Sequence, residues 1–190
     1  METKIIELES TRIALGIIDN ECESHRENER YATKKLAELL IGHNMTKICH
    51  NADGSPYIEG HELKVSVSHS RNIAAVAIDH RHDIGIDIEQ SRPVQLQRVA
   101  TRVLSENELG FYGKSSESLL QAWTLKEALC KASNRLDADF RRDIILPTAP
   151  NEEKASVAMH NGSARGFNII FSQAIEIGNF TAWLSIVRHS

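Results

Sequence analysis

The chain has 190 residues, 41% of them hydrophobic and 25% charged, with a formal net charge of −4 at pH 7. These values are typical of one folded domain, or of two small halves packed together, and argue against a disordered chain. The negative charge also argues against a protein that coats nucleic acid, because such proteins are usually basic.

The cysteines and the start of the sequence predict where the protein is found. Cys22, Cys49 and Cys130 are odd in number and do not have the spacing of a metal site, which fits a reducing compartment. The residues after Met1 include no apolar run with the length of a signal peptide or membrane span. We therefore expect a cytoplasmic protein that does not enter a membrane.

The first predicted elements are a strand over residues 13–18 and a helix that follows it. Ser24 and Glu27 have the spacing of a capping box, in which each side chain binds a free backbone amide at the start of a helix. The helix is expected to continue to about Ile41, and Gly42 is suited to end it.

Basic residues recur along one face of this helix. Arg26, Arg30 and Lys34 are each four residues apart, so they form a stripe. The stripe is either a solvated face or a contact surface for a phosphate.

Three strand patterns follow, over residues 64–68, 73–78 and 84–89, and the short turns between them predict an antiparallel meander. Ser68 and His69 lie where the first of these strands ends. Adjacent strand residues point to opposite faces, so the two cannot form a nucleophile and base pair. His69 could equally satisfy a local backbone group.

The third strand of this group carries two carboxylates on one face. Three isoleucines alternate with Gly85, Asp87 and Glu89, which is the period of a half-buried strand. The two carboxylates would be about 6–7 Å apart and would repel each other unless water or a cation lies between them. Oxygen ligands suit Mg²⁺, and Gly85 leaves room for a ligand. An exposed acidic edge strand, with no Lys or Arg nearby on that face, is the alternative.

The second half is predicted to be helical first and β-rich afterwards. Residues 94–103 form a helical pattern, Ser105 and Glu108 form a second capping box, and residues 119–134 form the longest helix. Strands are expected over residues 143–146, 155–159, 166–175 and 180–187.

Three charged residues stand out on the longest helix. Lys126 falls among apolar residues, so its charge needs a partner or a route to solvent. Glu127 and Lys131 form an i,i+4 pair, which on a surface needs no function to explain it. Because Glu127 lies beside Trp123, it could instead be a third carboxylate for a cation at Asp87 and Glu89.

Taken in order along the chain, these motifs resemble those of a known family. The two-lobed, surfactin-type 4′-phosphopantetheinyl transferases have similar motifs over the region from about Arg30 to Ile145. The motifs are Asp53-Gly54-Ser55-Pro56, Val67-Ser68-His69-Ser70, Gly85-Ile86-Asp87-Ile88-Glu89, and Trp123-Thr124-Leu125-Lys126-Glu127-Ala128 followed by Lys131-Ala132.

The resemblance implies a fold and a division of the chain. The expected fold is α+β, a pseudo-twofold pair of lobes in which each lobe packs a helix on a small antiparallel sheet. The lobes would span residues 1–92 and 93–190 and form one functional unit, with the site in the cleft between them. A monomer is expected.

The resemblance also implies a reaction and the residues that perform it. The 4′-phosphopantetheine arm of coenzyme A would pass to a serine of an apo acyl or peptidyl carrier protein, leaving adenosine 3′,5′-bisphosphate. Mg²⁺, or Mn²⁺, would be bound by Asp87, Glu89 and Glu127. The implied catalytic residues are Asp87, Glu127 as base, and Lys131 at the leaving group. The implied coenzyme A contacts are Ser68, His69, Arg30, Lys34 and Lys131, with Arg26 as a further candidate.

Two departures and two alternative functions accompany the resemblance. The segment before Arg30 is short for the family, and Ser133-Asn134-Arg135 replaces the usual glycines, although Asn134 can adopt a left-handed helix end.

The alternative functions are a protein that binds coenzyme A or a carrier without turnover, and a metal-dependent phosphohydrolase. An acidic carrier would need a basic docking surface. Arg92, Arg98 and Arg102 are candidates for it, although solvated helix charges explain them equally well.

Overall fold

The computed structural model describes residues 1–19, 22–42, 47–91, 93–149 and 151–190. Arg92 therefore lies outside the described residues. The elements in chain order are β1 Thr3–Leu8, β2 Thr11–Ile17, α1 His25–Ile41, β3 Ile48–His50, β4 Pro56–Ile58, β5 Lys64–Ser70, β6 Ile73–Asp79, β7 Ile84–Glu89, α2 Pro93–Val103, α3 Glu106–Tyr112, α4 Ser116–Ser133, β8 Ile144–Ile145, β9 Lys154–Ala158, β10 Ala164–Ile177 and β11 Phe180–His189.

The caps predicted from the sequence begin and end the helices. Ser24 and Glu27 form the capping box of α1, and Gly42 ends that helix with φ 79°. The second box, between Ser105 and Glu108, begins α3. Asn134 ends α4 in the left-handed region with φ 54°, as expected for a residue that stands where glycine is common.

The two larger antiparallel sheets and the helices α1 and α4 form four layers, and β3 and β4 form a small separate sheet. The first sheet has the strand order β1-β2-β6-β5 and the second β7-β11-β10-β9-β8. Side chains alternate between the two faces of a strand, and each of these two sheets packs apolar side chains on both faces. One apolar cluster lies between α1 and the first sheet, a second between the two sheets, and a third between α4 and the second sheet. The expected α+β fold, with a helix on an antiparallel sheet in each half, is confirmed.

The predicted meander is wrong at its third strand. β5 pairs with β6, but β7 pairs with β11, so it is the edge strand of the second sheet. The chain thus crosses between the sheets before residue 92, in the turn between β6 and β7. Alternation of apolar residues shows that a segment is a strand but does not identify its pairing partner.

Serine side chains, rather than a backbone ladder, join the edges of the two sheets. On β5, the hydroxyls of Ser66 and Ser68 accept hydrogen bonds from the backbone amides of Ile86 and Ile88, at 3.1 and 3.3 Å. Ser70 accepts in the same way from the amide of residue 90 at 3.0 Å. These bonds satisfy amides at the free edge of β7, which would otherwise be costly to bury.

Helix α4 lies on the second face of β7, and Gly85 makes this close contact possible. A β-carbon at Gly85 would lie 1.8 Å from the carbonyl oxygen of Ala128. The strand is therefore buried on both faces, rather than half-buried as its alternation suggested. Among the helices in the described ranges, we find none with the length and apolar character needed to cross a membrane.

We expect Gly85→Ala to destabilise the protein strongly, because α4 must move away from β7 to make room for the methyl group. An overpacked core typically costs about 1–3 kcal/mol, or more when backbone atoms clash. Gly110→Ala is the matched control, since Gly110 lies in α3 with no atom within 4 Å of an added β-carbon. Urea unfolding of both variants measures the effect. Equal stability of the two would contradict this account of the contact.

Candidate active site

Asp87 is the most deeply buried carboxylate of the predicted site. Its Oδ1 accepts hydrogen bonds from Lys131 Nζ and from the Ser68 hydroxyl, both at 2.7 Å. Its Oδ2 is buried and has no hydrogen-bond partner among the described residues. Burial raises the pKa of Asp87, while Lys131 and Ser68 act in the opposite direction.

This geometry corrects one expectation from the sequence. The face of β7 with Asp87 was predicted to have no Lys or Arg nearby and, in the alternative reading, to be exposed. Instead, α4 covers this face and brings Lys131 into an ion pair with Asp87. Lys131 is 44 residues away in sequence, so a local pattern on β7 could not reveal it.

The other two predicted carboxylates, Glu89 and Glu127, lie near Asp87. Glu89 Oε2 accepts a hydrogen bond from the Ser70 hydroxyl at 2.6 Å. The pKa of Glu127 is raised, first by burial and then by the negative charge of Asp87, with a smaller contribution from Glu89. The structure therefore brings the three predicted carboxylates within electrostatic reach of one another.

The described residues form no cluster of three or more His, Cys, Asp or Glu side chains that could hold a metal ion as they stand. The chemistry of the three carboxylates nevertheless fits a divalent cation. Asp87 has an oxygen without a partner, and the like charges raise the pKa of Glu127. All the donors are oxygens, which is the ligand type that Mg²⁺ prefers.

A positively charged cleft of about 960 Å³ meets this region at Lys131, which lines the cleft and pairs with Asp87. It lies between α1, β3, β4, β5 and the C-terminal end of α4. Among its described lining residues, five are Lys or Arg and one, Glu29, is acidic; the basic residues are Arg26, Arg30, Lys34, Lys47 and Lys131. The predicted basic stripe of α1 thus faces the cleft. Such a surface favours a ligand with several phosphate groups.

His69 and Ser68 occupy different surroundings, as their alternation on β5 predicted. His69 lines the cleft, and its Nε2 lies 2.6 Å from the hydroxyl of Thr33 on α1. Ser68 is buried and donates its single hydroxyl proton to Asp87. The role of Ser68 as a coenzyme A contact stays a prediction, while its contact with the carboxylate is part of the structure.

The turn at residues 51–56 meets the end of α4 at the cleft. Asn134 Nδ2 donates a hydrogen bond to Asp53 Oδ2 at 2.7 Å. Gly54, Asn134 and Leu136 line the cleft at this point. The residue that replaces the usual glycine therefore helps to join the first half of the chain to the second.

The sequence interpretation missed the partner of Lys126. The ammonium of Lys126 contacts both carboxylate oxygens of Glu108, at 2.9 and 2.8 Å, and the carbonyls of Phe140 and Ile144. Glu108 also accepts hydrogen bonds from the backbone amides of Ser105 and residue 146. The start of α3, helix α4 and the chain after β8 therefore meet at one buried ion pair. Glu108 was interpreted only as a helix cap. Its spacing from Ser105 carried no sign of this second role.

We expect Lys126→Met to destabilise the protein by about 3–5 kcal/mol, because it leaves Glu108 buried without its counter-charge. Urea unfolding at neutral pH measures the loss. Lys114→Met is the control, since Lys114 is an exposed lysine and surface changes usually stay within about 0.5 kcal/mol. If the two variants unfolded at the same urea concentration, the buried pair would not have the structural weight assigned to it here.

Comparisons with known proteins find similarity to the superfamily that the motifs resemble. Residues 83–171 match the family model described as "4'-phosphopantetheinyl transferase superfamily". A Haemophilus influenzae protein named "Putative 4'-phosphopantetheinyl transferase" is 26% identical over 129 residues, which cover 59% of this chain and 55% of that protein. The chain thus spans about half the length of this curated relative. The matched segment, which carries Asp87, Glu89, Glu127 and Lys131, is thus similar to the 4′-phosphopantetheinyl transferase superfamily.

Proposed function

We propose that this protein transfers the 4′-phosphopantetheine arm of coenzyme A to a serine of an apo acyl or peptidyl carrier protein. The observation that carries the proposal is a positively charged cleft whose lining residue Lys131 pairs with Asp87, a buried carboxylate with an unpaired oxygen. Coenzyme A has a pyrophosphate and a 3′-phosphate, so its charge complements that of the cleft. The segment matched by the superfamily model includes Asp87, Glu89 and Glu127.

The basic residues of the cleft would bind the donor. Arg30 and Lys34, with Arg26 beside them, form a continuous row on α1 and are the candidates for the 3′-phosphate. His69 is the candidate for a second phosphate of the donor. These residues would fix the coenzyme in one orientation, which is the main contribution a protein makes to phosphoryl transfer.

Asp87, Glu89 and Glu127 would hold one Mg²⁺ or Mn²⁺ ion. When bound, the ion would offset the negative charge of the pyrophosphate. Lys131 already holds Asp87 on one oxygen, which leaves Oδ2 available. Because Lys131 also lines the cleft, it can contact the leaving group.

In the proposed reaction, the carrier serine oxygen forms a bond to the phosphorus that bears the pantetheine arm. The bond from that phosphorus to the adenosine bisphosphate oxygen breaks. Glu127, or a water it orients, would accept the serine proton, because burial and Asp87 raise the pKa of Glu127 above that of an ordinary carboxylate. Lys131 would neutralise or protonate the departing phosphate.

Other features of the expected protein remain proposals. We propose that it acts as a cytoplasmic monomer with two lobes, residues 1–92 and 93–190, in which β7 of the first segment completes the sheet of the second lobe. The acidic carrier would need a basic docking surface, and Arg98 and Arg102 of α2 are candidates for its contacts.

Intact mass spectrometry of an apo carrier protein, incubated with this protein, coenzyme A and Mg²⁺, tests the proposal. We expect the carrier to gain one phosphopantetheine arm. Glu127→Gln and Asp87→Asn should each lower the rate by about a hundredfold or more, because each removes a charge at the reacting phosphate. Glu117→Gln is the matched control, since Glu117 is an exposed residue of the same helix.

The other outcomes separate the alternative functions. Free phosphopantetheine with an unmodified carrier would show a phosphohydrolase. Coenzyme A that binds without any product, for several acyl and peptidyl carriers, would show a binding protein without turnover. Either result would contradict the proposed transfer.

A further inference from the structure

The contact between Thr33 and His69 defines which nitrogen of the histidine carries a proton. Thr33 Oγ1 lies 2.7 Å from the backbone carbonyl of Glu29, one turn earlier in α1, and 2.6 Å from His69 Nε2. A carbonyl oxygen can only accept, so the single hydroxyl proton of Thr33 points to Glu29. The hydroxyl oxygen then accepts from His69, which requires a proton on Nε2.

A neutral imidazole with its proton on Nε2 has a lone pair on Nδ1. No hydrogen bond to His69 Nδ1 is found among the described residues, and this atom is not one of the buried side-chain atoms without a partner. Since His69 lines the cleft, Nδ1 is accessible to a ligand there. The free nitrogen is therefore an acceptor, which cannot donate a hydrogen bond to a phosphate oxygen.

The charges around His69 favour the neutral form in the free protein. Burial lowers the pKa of His69, and Lys131 on α4 and His25 on α1 lower it further, while Glu29 acts in the opposite direction. Arg26, Arg30 and Lys34 add positive charge along the same cleft. A bound phosphate reverses this balance, because its negative charge stabilises the imidazolium.

We propose that Thr33 is a positioning residue that holds His69 by Nε2, so that a phosphate of coenzyme A binds His69 only when Nδ1 takes up a proton from solvent. The resulting imidazolium donates from Nε2 to Thr33 and from Nδ1 to the phosphate. As far as it concerns coenzyme A, this inference rests on the proposed function. Its consequence is that the affinity for the donor falls as the pH rises above the pKa of free His69.

The tautomer is tested without any ligand. Long-range ¹H–¹⁵N NMR of the histidine rings reports which nitrogen is protonated. The signal that is missing in the His69→Gln variant identifies His69. At pH 7.5 we expect a neutral ring with the proton on Nε2. A ring protonated on Nδ1, or one protonated on both nitrogens, would overturn the inference.

Proton uptake is tested by calorimetry of coenzyme A binding at pH 7.5 in buffers of different ionisation enthalpy. We expect His69 to contribute about one proton per coenzyme A, and the affinity to fall by up to about tenfold per pH unit in this range. In Thr33→Val the ring is free to carry its proton on Nδ1, so this contribution should be lost. Thr33→Ser, which keeps the hydroxyl, should retain it.

Equal proton uptake by wild type and Thr33→Val would contradict the positioning role. Coenzyme A itself can also gain or lose protons on binding. This contribution is the same for wild type and variants, so it cancels in the difference between them. These outcomes are distinct from failure of the proposed function. If the carrier gained no arm while the tautomer and the proton uptake were as expected, the transfer would be rejected and the role of Thr33 would stand.

Discussion

The contact between helix α4 and strand β7 is the constraint on which the site depends. Gly85 lets the helix backbone approach the strand so closely that a methyl group would overlap the carbonyl of Ala128. This approach buries Asp87 and brings Lys131 to within 2.7 Å of it. It also places Glu127 in the field of both strand carboxylates. Without the glycine, α4 could not approach β7 closely enough for Lys131 and Glu127 to interact with the carboxylates of β7.

Two lysines of the same helix have different roles because they face different surroundings. Lys126 is fully buried against Glu108 and two backbone carbonyls, so it holds α3, α4 and the start of β8 together. Lys131 is partly exposed, pairs with Asp87 and lines the cleft. One lysine thus anchors the helix, and the other presents a charge to a ligand. The serines of β5 complete the arrangement, since Ser68 and Ser70 orient the two carboxylates of β7.

Local features of the fold could be predicted from the sequence, while its long-range contacts could not. Both capping boxes, the left-handed end at Asn134 and the strand at β7 follow from residue types within a few positions of one another. The pairing of β7 with β11 joins residues about a hundred positions apart, and no local pattern encodes it. The burial of Asp87 and the partnership of Glu108 with Lys126 were missed for the same reason. The contact of Thr33 with His69 requires the packing of α1 on the first sheet, so it too needed the structure.

The most direct test of the account is the binding of Mn²⁺ to the protein in the presence of coenzyme A, followed by electron paramagnetic resonance. The account predicts one site per chain whose affinity depends on coenzyme A. It also predicts that Asp87→Asn weakens this site by at least about tenfold, because the unpaired Oδ2 would be a ligand of the ion. Unchanged Mn²⁺ binding in Asp87→Asn would contradict the central claim that the buried carboxylate under α4 is the metal site.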